Sequence, residues 1–307
     1  MDYNGGYWKE LREYWKNSEL RIYKDILNIR ASKDLISLYD KGEYNDYLES
    51  MYKYYKKLLA LNIELPSRAK PKLYIYIVPL ENYSKLLNIP KRYDKGQGGG
   101  KPVQCFDIDG YMCAYGVSGN LCKNFKINKI ISREENNIHE LAHLIQLQFY
   151  SRNTFISEGL AEAIPLYIME YENIFDEHRN VILNLTEEDV ISPKDMINSE
   201  RNNTFGITSA LTGKSCSFRY SYISSYLFVR GCIEIIESKD NCTKLAALQH
   251  FLNTLYFCEF SSEFLIYYIA DYLDIDQDEL LHSKTIQLNA IESIKNNYYK
   301  SSKNKSR

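Results

Sequence analysis

His139 and His143 stand four residues apart, with Glu140 beside the first of them. On a helix that spacing stacks both imidazoles on one face, one turn above the other. Ile138, Leu141, Ala142, Leu144 and Ile145 supply apolar partners that would hold such a helix in a core. Two neutral ring nitrogens so placed reach a single zinc ion without cancelling its charge, and the carboxylate faces the open coordination position, where it takes a proton from water. A third protein ligand with one position left open completes a catalytic zinc site. Ser157-Glu158-Gly159-Leu160-Ala161-Glu162 offers one, since it sets two carboxylates four apart on a second amphipathic segment.

His-Glu-x-x-His followed by Ser-Glu-Gly-x-Ala-Glu resembles the gluzincin metallopeptidases, in particular compact members often described as peptidase MA-like. The resemblance covers residues 131–168, with a weaker echo at 219–229. It implies a zinc-dependent hydrolase acting on a peptide or protein. His139 and His143 match the histidine ligands, Glu140 the general base and Glu158 the third ligand. Glu162 matches the carboxylate that accepts the free N–H of a ligand histidine and fixes its tautomer. Glu162 also lies nineteen positions after His143, a spacing used for the ligand itself in aminopeptidase-like members, so that alternative stays open.

In the echo, Tyr222 matches a hydrogen-bond donor to the oxyanion formed at the peptide carbonyl, with Tyr220 as the other candidate. Residues 107–116 fall where the family keeps an edge strand that pairs with an extended substrate. Its amine-anchoring Gly-x-Met-Glu-Asn is missing, because Gly110-Tyr111-Met112 is followed by Cys113. That leans toward an endopeptidase or an oligopeptide-trimming enzyme. Pro165 departs from the family pattern, and its ring is expected to bend the second helix by blocking a bond to Ala161. The alternative reading is a peptidase-like zinc protein without turnover that serves as a peptide- or protein-binding module. A helical interaction protein without metal is a third.

The elements that must position these residues read as α+β. Residues 7–61 carry apolar side chains at three- and four-residue spacing and read as helices. Pro66 and Pro71 bracket a short polar connection before a strand-like run over 73–78. Residues 90–104 form a glycine-rich loop. Lys95 and Pro102 stand where a phosphate loop needs Gly and Ser or Thr, so it is not a nucleotide site. Residues 105–117 and 125–131 read as short strands, and everything from 133 onward as helical. The expected architecture is zincin-like: a small mixed sheet with an edge strand over the active-site helix, then a mostly helical C-terminal half. The expected segments are 1–65, helical; 66–175, catalytic; 176–299, helical; and 300–307, a disordered basic tail.

The 307 residues carry a net charge of −2, so no basic surface calls for nucleic acid or an anionic membrane. No apolar run approaches ~18 residues, and the N-terminus has no signal-peptide h-region. Seven cysteines, an odd number without a C-x-x-C pair, fit reduced thiols and a cytoplasmic location. On export, Cys105, Cys113 and Cys122 are the group expected to pair. The 28 tyrosines are expected mainly as amphipathic packers. His178, His250 and His282 read as surface or packing residues.

Overall fold

The computed structural model describes residues 13–63, 73–87, 101–107, 110–125, 132–146, 154–171, 176–201, 218–256 and 262–305. They fall into two units, Met1–Leu147 and Gln148–Arg307. The fold is α+β, with the described strands all in the first unit.

Strands β1 (Glu19–Tyr23) and β2 (Leu27–Ala31) open the first unit as an antiparallel hairpin, where helix was expected. Lys24 and Asp25 turn the chain with φ of 49° and 60°. Two consecutive left-handed residues make the hairpin turn whose twist matches that of its strands. Neither residue is the Gly or Asn that usually announces such a turn. In β2, Leu27, Ile29 and Ala31 are fully buried while Asn28 and Arg30 are half-exposed, the alternation of a one-faced strand.

Helices α1 (Lys33–Asp40) and α2 (Asn45–Ala60) follow, then β3 (Leu73–Val78), the short helix α3 (Tyr83–Leu87), β4 (Lys101–Asp107) and β5 (Gly110–Ser118). Helices α4 (Gly119–Lys123) and α5 (Ser132–Gln146) close the unit. The sheet order is β1-β2-β3-β5-β4, parallel at β2/β3 and β3/β5 and antiparallel at both ends. Every residue of β3 is buried, as a central strand covered on both faces must be. Tyr74, Tyr76 and Val78 pack with Tyr83, Leu86 and Leu87, and Tyr14 and Trp15 press on that cluster. Tyr14 donates to Ile77 O (2.7 Å) and accepts from Ser32 N (2.9 Å), tying β3 to the start of α1.

The run expected as one strand over 105–117 is two, β4 and β5, paired from Asp107↔Gly110 outward. The edge is therefore β4. β5, which carries most of residues 107–116, lies inside the sheet between β3 and β4. α5 packs against both strands and against α2. Residues 101–104 of the loop expected over 90–104 belong to β4, and Phe125 of the strand expected at 125–131 sits in a turn; residues 90–100 and 126–131 lie outside the described residues.

The second unit is helical: α6 (Thr154–Ala163), α7 (Asp176–Leu183), α8 (Pro193–Arg201), α9 (Phe218–Lys239), α10 (Lys244–Tyr256), α11 (Ser262–Leu273), α12 (Gln277–His282) and α13 (Thr285–Lys305). α9 is its spine, packing against α6, α8, α10, α11 and α13. Past α6 the chain makes one π turn, Ile164–Ile168, closed by Met169 N to Ile164 O at 3.0 Å. Pro165 sits in that turn, whose wider register accommodates the donor that proline lacks. The segment expected as a frayed tail begins inside α13, which continues to Lys305. No helix among the described residues is long and apolar enough to cross a membrane.

Candidate metal centre

α5 carries the histidine pair because its apolar residues fall on the face turned to the sheet and α2. Ile138, Leu141, Ala142 and Leu144 are all at most 3 % exposed. His139 and His143 are part-buried on the same helix, with Nε2 atoms 3.1 Å apart and rings 4.7 Å apart at 84°. Two nitrogens each ~2.0–2.1 Å from one tetrahedral zinc would lie about 3.3 Å from each other. The pair thus fits one ion with almost no adjustment. Glu140, between them in sequence, is 5 % exposed.

A polar contact that the sequence did not reveal supports this helix. Tyr115 on β5, fully buried, donates to Asn137 Oδ1 at 3.2 Å. Burial chiefly, and next the charge of Glu140, push the Tyr115 phenol well above 10. Tyr115 is therefore a neutral hydrogen-bond donor at physiological pH. Asn137 is itself buried, and its Nδ2 has no hydrogen-bond partner among the described residues. The only sequence hint was Asn137 lying two residues before His139. The strand that supplies its partner is 22 residues away.

The second unit carries the acidic motif. Glu158 and Glu162 are half-buried on α6. Gly159 between them is a packing requirement, because a Cβ there would meet Ser225 O of α9 at 2.5 Å. Bare backbone lets the two helices touch, which places α6 firmly. Glu162 and Tyr222 line one small cleft with Leu166, Ile182, Ile223 and Tyr226. Tyr220 falls in the first turn of α9, with its side chain outside the described residues.

Of the other expected residues, His282 is exposed and the side chain of His178 lies outside the described residues. His250 faces Asp240, Nδ1 to Oδ2 at 2.8 Å. Cys122, Cys232 and Cys242 are free thiols, the first two buried. No family model, no curated protein and no solved structure matches this chain.

Proposed function

We propose that the protein is a zinc-dependent metallopeptidase of gluzincin type, with His139, His143 and Glu158 as metal ligands and Glu140 as general base. The observation that carries the reading is the 3.1 Å separation of the two Nε2 atoms on a helix that also holds a buried glutamate. Two imidazoles and one carboxylate are a donor set of catalytic zinc. When bound, zinc supplies Lewis-acid chemistry, acidifying water and polarising a carbonyl.

The chain's own residues do the rest. His139 and His143 hold their ring nitrogens forward because α5 is fixed from below by Leu141, Leu144 and the Tyr115–Asn137 bond. Glu140 takes a proton from the attacking water and hands it to the leaving amine. Glu162 accepts a histidine N–H and fixes its tautomer. Tyr222 donates to the oxyanion as the peptide carbonyl becomes tetrahedral.

The test is cleavage of a broad peptide library by zinc-loaded protein, with metal content measured beside it. Wild type cleaves, while Glu140→Gln binds zinc and does not. Cleavage retained in Glu140→Gln refutes the base. Zinc bound with no turnover by wild type leaves a peptide-binding module on a peptidase-like site.

A further inference from the structure

We infer that Asp240, Cys242 and His250 form a second metal site, for a borderline-soft divalent cation such as zinc, clipping the end of α9 to α10. One ligand atom from each lies within 4.8 Å of the others. The three side chains reach one point because the backbone between the helices is fixed. Asn241 adopts the left-handed conformation at φ 47°, and Cys242 N bonds Glu237 O at 3.2 Å, six residues closing on the first. That is the helix-ending motif in which a left-handed residue folds the next one back over the last turn. Thr243 then caps α10, accepting from Ala246 N through its side chain at 3.2 Å. Two turns further, His250 returns to the turn and meets the Asp240 carboxylate at 2.8 Å.

The donors are chemically distinct from the α5 pair. A thiol, an imidazole and a carboxylate suit zinc and disfavour magnesium and calcium, which seek oxygen alone. Tyr272 of α11 lies against Asp240, and burial followed by that carboxylate raises its phenol. The carboxylate is thereby held from a second side. Lys239 donates to Tyr272 O at 3.0 Å. His250 and Asp240 keep 41 % and 30 % of their side-chain surface exposed, so water supplies the fourth ligand. In a tetrahedral zinc site nitrogen and oxygen donors stand about 3.3 Å apart. The 2.8 Å contact opens by about half an ångström, which half-exposed side chains allow. Binding displaces the Cys242 thiol proton to solvent and leaves the thiolate on the cation.

The test uses the reduced full-length chain and Co2+ as a spectroscopic stand-in for zinc. A near-ultraviolet thiolate-to-cobalt charge-transfer band should appear, bleach on addition of Zn2+, and be lost in Cys242→Ser and in His250→Ala. Zinc should also protect Cys242 of the wild type from alkylation, read at that residue by peptide mass spectrometry. Cobalt taken up without the band, a band that survives Cys242→Ser, or alkylation unaffected by zinc overturns the site. The alkylation arm needs no variant to fold. Because the α5 donors include no thiol, a band lost in Cys242→Ser reports on this site and not on the α5 pair, and its absence leaves the peptidase reading standing.

Discussion

Two buried polar clusters, one in each unit, differ in how their groups are partnered. In the second unit Arg230 is 2 % exposed and bonded within the protein. It bonds Glu234 at 2.9 Å and Tyr226 at 2.8 Å, and its guanidinium stacks 4.5 Å from the Tyr167 ring. Glu234 also accepts from Ser293 on α13 at 3.0 Å. These bonds lie inside the protein, and the cluster joins α9, α13 and the π turn. Beneath α5, the Tyr115–Asn137 bond leaves Asn137 Nδ2 unpartnered among the described residues, and two imidazole nitrogens face each other. A buried polar group kept short of partners costs about 1–3 kcal/mol. The difference separates a charge partnered on several sides from a buried amide whose Nδ2 has no partner among the described residues.

The largest effect that would sharpen this contrast is on turnover. Glu140→Gln should lower kcat by about 10²–10⁴-fold at unchanged denaturation midpoint, measured on any peptide the wild type cleaves. Arg230→Met should do the reverse. It takes the cation from Glu234, which keeps its bond from Ser293, and removes about 3 kcal/mol of stability in urea titration, with zinc content intact. Loss of zinc without loss of stability in Arg230→Met would break the comparison, because it would make the Arg230 cluster part of the site.

Gly159→Ala comes next. Its methyl group meets Ser225 O, and overpacking should cost about 1–3 kcal/mol in the same titration. A neutral result would show that α6 and α9 separate freely. Tyr115→Phe should cost about 1 kcal/mol for the lost hydrogen bond to Asn137.

The smallest effect is a pH slope. The phenols of Tyr115 and Tyr47 are raised well above 10, chiefly by burial, and Tyr23 is pushed up to about 12. A raised folded pKa gives stability that is complete below the unfolded value near 10. It is lost as pH climbs from there through the folded value. Stability should therefore be flat in this respect below pH ~10 and fall above it, and in Tyr115→Phe the fall should be shallower by at most about 1.4 kcal/mol per pH unit. Denaturant titrations at several alkaline pH values read the slope, and identical slopes in the two proteins would deny Tyr115 its buried, protonated state.

The sequence alone determined what is local. Four-residue spacing with apolar partners dictated α5 with His139, Glu140 and His143 on it, and the same periodicity placed Glu158 and Glu162 on α6. A run of β-branched and aromatic residues marked β3. Tertiary structure decided what depends on distant neighbours or on a turn with no signature residue. The β1–β2 hairpin turns at Lys24 and Asp25, whose left-handed backbone is stabilised by the finished sheet and not by a glycine. Tyr115 finds Asn137 because β5 lies inside the sheet, against α5. The packing role of Gly159 shows only when Ser225 is seen against it, and His250 meets Asp240 only because α9 ends in a left-handed turn. Periodicity is written along the chain, whereas a contact between separate elements exists only once packing has fixed which backbone lies beside which.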